Sequence, residues 1–375
     1  MRVQVVEQDL VTAWGRGVDA CWNGVLSGKP AFSEVKRFGT AAFQAHLAAF
    51  VPGLEAGAAD SLVMQMLKPL LVPLSGRLPE QTLVILASTT GEVDLLERRL
   101  LGGGSESAEA SRLDVLLARI TTALGVEESG LIVSSACASS SAAVAHGAAL
   151  ISSGERECVL VVACDAVTEF VFAGFSSLMA LDPDGARPFD KTRKGLTIGE
   201  AAGFVLLMSD ERARREGRTA LGEVAGWGLS CDANHMTGPT RDGDGLARAI
   251  QQAFRKADME CGRVGSISAH GTGTVYNDSM ELKAYRQVFG ISTPPVYSIK
   301  GSVGHTMGAA GLVEMIMALQ SLRAGVIPPS SHLHEVDPEA CGWVSPEAIK
   351  ASGMRAVLST NSGFGGVNAA LLVQS

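Results

Sequence analysis

The stretch LIVSSACASSSAAVAHGAALISSG, residues 131–154, constrains this chain more than any other. An apolar run leads to Cys137, and the turns that follow carry little besides Ala, Ser and Gly. A helix so short of side-chain bulk packs well only where neighbouring backbones approach it closely. The sequence therefore predicts a buried central helix between sheets, closed by Gly154. TMGAAGLVEMIMALQSLRAG, residues 306–325, repeats the plan: it follows a strand, is small and apolar at its start, and ends on glycine. Two such helices are the pattern of a duplicated α/β unit.

The flanking segments fit that plan. Strands are expected in MRVQVV, TLVILASTT (82–90), GLIVSSA (130–136, read as buried), ECVLVVACDAV and AAGFVLLMSD. Helices are expected in RLDVLLARITTALG, DGLARAIQQAFRKADM and NDSMELKAYRQVFG, and a closing hairpin in AVLSTNSGFGGVNAALLVQS. LGGGSESAEAS, residues 101–111, reads as a flexible loop. At 375 residues the chain is long for one simple domain and predicts two domains or two fused halves.

Composition excludes several functions. A net charge of −8 leaves no broad basic face for nucleic acid. The seven cysteines form no CxxC pair and their number is odd, which fits a reducing, cytoplasmic compartment. The first residues lack a signal-peptide core, and no apolar run is long enough for a membrane span.

Cys137 at a helix N-terminus faces the positive end of the macrodipole and free N–H groups, which favour thiolate and lower the thiol pKa from about 8.5. Its own N–H can serve an oxyanion. Against this stands the ordinary buried cysteine. Three later segments tip the balance. SAHGTGT puts His270 at a strand end. IKGSVGHTMGAAG puts Lys300 on a strand end and His305 at a helix start. NSGFGGVN surrounds Phe364 with three glycines and leads into Asn368. Sites in α/β folds gather at such strand ends.

These segments, with RPFDKTRKGLTIGEAAG and SCDANHMTGP between them, resemble the elongating β-ketoacyl-acyl-carrier-protein synthases of the thiolase superfamily over residues 130–375. The resemblance implies a five-layer αβαβα fold of two similar halves, 1–226 and 227–375. It implies an acyltransferase in which Cys137 accepts the acyl group and His270 and His305 complete a Cys-His-His triad. Lys300 would order the site, with the acids Asp278, Glu281 and Glu314 nearby. Phe364 would gate it and supply an oxyanion N–H, and Thr272 and Thr274 would contact the phosphopantetheine arm. That arm arrives on an acyl carrier protein, so no metal or other cofactor is implied. A homodimer, or a heterodimer with a related subunit, is expected.

Other residues are read as bystanders. His146 is expected to be packed or at a subunit contact, and His235 in the pocket wall. His332 and His334 have the spacing of a metal pair, but fall where the family has a loop. Cys158, Cys164, Cys231 and Cys261 are expected to be ordinary thiols. Asn368 invites comparison with the Cys-His-Asn branch, against which Lys300 and its GH segment argue. A thiolase needs a second catalytic cysteine, and Cys341 lies outside the glycine loops. A chain-length-factor-like subunit usually lacks the cysteine that stands here. The N-terminal third departs from the family: VEQDLVTAWGRG replaces its glycine-rich opening, and Met179 falls where arginine is common. Lys36, Arg37, Lys68 and Arg77 are the candidates for docking an acidic carrier. Elongation in fatty-acid or in polyketide or polyene synthesis is the function implied.

Overall fold

Successive residues of the strand Cys158–Asp165 turn to two different cores. Val159, Val161 and Ala163 pack among the two small-residue helices, while Leu160 and Val162 pack against an outer pair of helices. This is why the segment reads as a continuous apolar run: both faces of the sheet are covered. In this computed structural model, which describes residues 1–102, 104, 107–127 and 130–375, the same division recurs throughout.

The first half contributes β1 (Val3–Thr12), β2 (Leu83–Ala87), β3 (Leu131–Val133), β4 (Cys158–Asp165) and β5 (Ala201–Ser209). The second contributes β6 (Gly222–Cys231), β7 (Val264–Ser268), β8 (Val296–Tyr297), β9 (Ala356–Gly363) and β10 (Val367–Gln374). The first set runs β1-β5-β4-β2-β3 and the second β6-β10-β9-β7-β8. In each, two antiparallel pairings are followed by two parallel ones. The halves thus share one topology, and they meet where β1 pairs briefly with β6. The change of set falls between Ser209 and Gly222.

Helices α1 (Leu62–Leu71) and α2 (Leu113–Leu124) cover the outer face of the first set. Helices α3 (Ser139–Ser153) and α6 (Ala310–Ala324) lie between the sets, and α4 (Asp244–Ala257) and α5 (Val275–Phe289) cover the outer face of the second. The result is five αβαβα layers. Full burial of each Leu, Ile or Val in them contributes about 1.5–3 kcal/mol.

The glycines explain the close central packing. A Cβ on Gly311 of α6 would lie 2.0 Å from Ser141 Oγ of α3, and one on Gly147 would lie 3.0 Å from Val159 Cγ1. Gly125, Gly154 and Gly325 close α2, α3 and α6 in the left-handed conformation, as the sequence predicts.

Two readings need correction. GLIVSSA is not a buried strand: among the described residues β3 pairs only with β2, at the sheet's end, and Leu131 and Ile132 are exposed there. Of the loop read at 101–111, Gly103, Ser105 and Glu106 lie outside the described residues; Leu101 and Gly102 end a helix begun at Val93, and Ala108–Ser111 form one 3-10 turn. No helix among the described residues is long and apolar enough to cross a membrane.

Candidate active site

Cys137 lies in a tight turn just before α3, not within the helix. Ala136 carries a positive φ of 47°, a left-handed conformation costing roughly 1–2 kcal/mol for a residue with a Cβ. The Ser139 hydroxyl secures the turn: it accepts from Ser135 N–H at 2.8 Å and donates to the Ala136 carbonyl at 2.6 Å. From the second half, the Gly363–Gly366 turn between β9 and β10 approaches from above. The Phe364 N–H favours the Cys137 thiolate, and a side chain at Gly363 would come within 3.0 Å of the Cys137 nitrogen. Cys137, Gly363 and Phe364 line one cavity.

The sulfur and one ring nitrogen each of His270 and His305 all lie within 4.8 Å of one another. The two imidazoles stand edge to face, with centroids 5.2 Å apart. His270 follows β7, and His305 lies in the loop before α6. Lys300 opens a one-turn helix, Lys300–Val303, rather than ending a strand. Its ammonium lies 3.1 Å from His270 Nδ1, donates to the His270 carbonyl at 2.6 Å and pairs with Glu314. Met307 N–H donates to His305 Nδ1 at 3.1 Å.

These contacts settle the tautomers. Each Nδ1 accepts, so in the neutral ring each Nε2 carries the proton. Both rings are neutral: burial, and then the Lys300 charge, hold their pKa values well below 6.5. The site thus offers two imidazole N–H donors. Cys, His and His are also metal-ligand types, and their ligand atoms lie close enough together to hold an ion.

Of the three acids expected near Lys300, only Glu314 pairs with it. Glu281 accepts from the His270 and Gly271 N–H groups at 2.8 and 2.6 Å. Asp278 accepts from the Thr272 and Phe189 N–H groups at 3.0 and 2.9 Å. These two carboxylates brace the backbone of the His270 loop. Burial pushes Glu281 up to about 7, and the neighbouring charge of Asp278 adds to the effect.

The sulfur corrects another expectation. Burial pushes the Cys137 thiol up to about 11, and the Lys300 charge and the Phe364 N–H offset only part of that. The dipole argument took no account of what burial costs the anion. This sulfur is enclosed, and enclosure disfavours the anion.

A cavity of about 430 Å³ opens above the sulfur. Thr272 and Thr274 line it with hydroxyls 2.9 Å apart, and His235, Phe175 and Phe364 form parts of its wall. Met179, Met236 and Tyr276 are exposed, and Met179 and Tyr276 border the cavity. Asn368 donates to Asp232 at 2.8 Å and does not line the cavity. His146 is exposed on α3 of the single chain. His332 and His334 lie ring to ring, with His332 Nδ1 3.0 Å from the Ala186 carbonyl. All seven cysteines are free thiols; Cys158 and Cys164 are buried, and Cys231, Cys261 and Cys341 are exposed.

Arg37 is withdrawn from the docking candidates. It is only partly exposed and held in a two-pronged ion pair with the buried Glu200, at 2.6 and 2.9 Å. Lys68 and Arg77 are half-exposed or more but face Asp60 and Glu7, and Lys36 is exposed.

Sequence reasoning passed over two buried polar residues. Asn361 donates to Glu314 at 2.7 Å and accepts from Ser141 of α3, tying the two halves together. Asp165 gathers donors from two loops far apart in sequence. Its one sequence signal was an acid ending an apolar strand.

Comparison with known proteins matches residues 82–213 to the N-terminal domain of β-ketoacyl synthases and residues 221–334 to their C-terminal domain. Nodulation protein E of Rhizobium meliloti is 35% identical over 68% of this chain and 63% of its own length. The chain thus spans less than two thirds of that relative. The 3-oxoacyl-[acyl-carrier-protein] synthase 2 of Vibrio cholerae is 28% identical over 99% of this chain and 98% of its own. Among solved structures, the ishigamide ketosynthase/chain length factor superposes with a TM-score of 0.88 at 33% identity, covering 100% of this chain and 99% of that one.

Proposed function

Given that this chain belongs to the β-ketoacyl synthase family, we propose that it joins an acyl group held on Cys137 to a malonyl unit carried by an acyl carrier protein. The observation that carries this reading is the pair of imidazole N–H donors fixed beside a cysteine sulfur.

In the first step the Cys137 sulfur attacks the carbonyl of an acyl thioester. The bond from that carbonyl to the carrier sulfur breaks, and the cysteine proton ends on the freed carrier thiol. A malonyl thioester then enters. Its bond to the terminal carboxylate breaks, carbon dioxide leaves, and the electron pair passes into an enolate. The two Nε2–H groups stabilise that enolate oxygen. The enolate carbon attacks the acyl-Cys137 carbonyl, whose oxyanion rests on the Cys137 and Phe364 N–H groups. Collapse breaks the carbon–sulfur bond, releases a β-ketoacyl thioester and returns a thiolate that takes one proton from solvent. Neutral imidazoles suit this role, because they donate without leaving a buried positive charge.

Thr272 and Thr274 line the approach to the sulfur and would hold the pantetheine arm. The end of the sheet at β3, with Leu131 and Ile132 bare, supports pairing with a second ketosynthase-like chain, because an unpaired apolar edge is otherwise a liability. The likeness to a ketosynthase/chain length factor favours a related subunit as that partner. A silent chain-length-factor-like role for this chain itself is the second reading, and the presence of Cys137 with both histidines weighs against it.

Intact-protein mass spectrometry tests the proposal. The chain, alone and with a companion subunit, is offered acyl-carrier thioesters and then malonyl-carrier. An adduct that requires Cys137 and discharges on adding malonyl-carrier is expected. No adduct under either condition would overturn it.

A further inference from the structure

Asp165 ends β4 in the first half, is fully buried and, among the described residues, hydrogen-bonds to neither site histidine. Its Oδ1 accepts from the Ser88 hydroxyl at 2.7 Å and the Thr90 N–H at 3.1 Å. Its Oδ2 accepts from the Thr89 hydroxyl and from the Gly308 N–H, each at 2.7 Å. Gly308 belongs to the second half, in the 3-10 turn Met307–Ala309 that follows His305. One carboxylate therefore fastens the loop after β2 to the turn that carries a site histidine.

That turn is strained. Met307 has a positive φ of 52°, a conformation a residue with a side chain holds only when its surroundings impose it. Two constraints act on it. Met307 N–H reaches back to His305 Nδ1, and the next N–H, of Gly308, is taken by Asp165. The fit leaves no slack, since a Cβ on Gly308 would lie 2.6 Å from Asp165 Oδ2. Without the carboxylate, Gly308 N–H loses its charged acceptor and Met307 can relax to an unstrained φ. Met307 N–H then turns away from the imidazole.

We infer that Asp165 is a positioning residue: by holding Gly308 it keeps Met307 N–H on His305 Nδ1, and so keeps the His305 proton on Nε2, facing the sulfur. His270 owes its own tautomer to Lys300 and is independent of this device. The importance of the His305 tautomer for turnover rests on the reading under Proposed function; the tautomer itself does not.

The test is 15N NMR of histidine-labelled protein without substrate, with His305 identified by its loss in His305→Gln. In the wild type, His305 and His270 should each show one protonated Nε2 and one bare Nδ1. In Asp165→Ala, His305 should move to the averaged shifts of two exchanging tautomers, while His270 stays as it was. Gly308→Ala should do the same and serves if Asp165→Ala does not fold. Thr89→Val removes another donor from the same carboxylate and should leave both rings unchanged. Decarboxylation of malonyl-carrier should fall at least about tenfold in either alanine variant, with acyl transfer to Cys137 within about threefold of wild type. A folded alanine variant in which His305 keeps a single Nε2–H form overturns the inference. Movement of both histidines together would also overturn it, because that is the sign of general loosening. Absence of any acyl adduct on wild-type Cys137 would instead sink the functional proposal and leave the NMR result standing.

Discussion

The Lys300 ammonium lies 3.1 Å from His270 Nδ1 and also grips the carbonyl of the same residue. Lysine is a donor only, so His270 must accept at Nδ1 and donate from Nε2. Lys300→Met keeps the length of the stem and removes the donor. Decarboxylation should fall by about 100-fold or more, the effect of losing one well-placed donor, while self-acylation falls less. Release of carbon dioxide and the mass of the acyl adduct, measured on one sample, give the two rates. Equal losses would assign Lys300 to the fold alone.

The reactivity of Cys137 should follow its burial. With the thiol pushed up to about 11, the thiolate is scarce at neutral pH and grows about tenfold for each pH unit. Alkylation by iodoacetamide should therefore climb from pH 7 to pH 9 without levelling off. Lys300→Met removes the main charge that favours the thiolate, so its curve should lie below the wild type throughout. A plateau near pH 8 would restore the dipole argument.

Much of the fold is written in the chain because burial on two faces leaves unbroken apolar runs and close packing leaves runs of small residues. β4 and α3 are legible for those reasons alone. β3 misled because its letters are as apolar as those of a central strand, whereas its exposure is decided by its place at the sheet's end, which local sequence does not encode. At the site, the glycine loops announced His270, His305 and Phe364. The division of labour among the acids was hidden: Glu314 meets Lys300 from α6, while Asp278 and Glu281 meet backbone from α5, and only packing decides which. Asp165 and Asn361 act across loops far apart in sequence, a relationship no spacing reveals.

Contact between the central helices should be intolerant of a single methyl group. A Cβ at Gly311 would lie 2.0 Å from Ser141 Oγ and 2.7 Å from Asn361 Oδ1. Neither neighbour can retreat, since each is buried and bonded to the other. Gly311→Ala should cost about 1–3 kcal/mol, read as a lowered midpoint in urea. Gly262, with nothing within 4 Å of its missing Cβ, is the control, and Gly262→Ala should stay within about 0.5 kcal/mol. If the two variants behave alike, close approach is not what fixes glycine at Gly311.

Arg37 and Lys36 are neighbours in sequence with opposite fates, and this separates docking from folding. Glu200 is fully buried and accepts from Arg37 twice, from Val51 N–H at 2.9 Å and from Val167 N–H at 2.9 Å. The Arg37 guanidinium also lies 4.7 Å from the Phe50 ring centre. Removing one partner of such a pair strands a charge away from water. Arg37→Ala should therefore lose about 3–5 kcal/mol of stability. Lys36 is exposed and makes no ion pair among the described residues; Lys36→Ala should change stability by less than about 0.5 kcal/mol. Acylation by carrier-bound substrate, compared with acylation by a carrier-free thioester, then discriminates between the roles. For Arg37→Ala, assayed well below its melting temperature, the ratio of the two rates should equal that of the wild type, because the guanidinium is engaged by Glu200 and little of it is exposed. A selective loss with the carrier would return Arg37 to the docking surface. If Lys36 docks the carrier, its variant alone should lose rate with carrier-bound substrate, and the deficit should vanish at high salt, where exposed charges are screened.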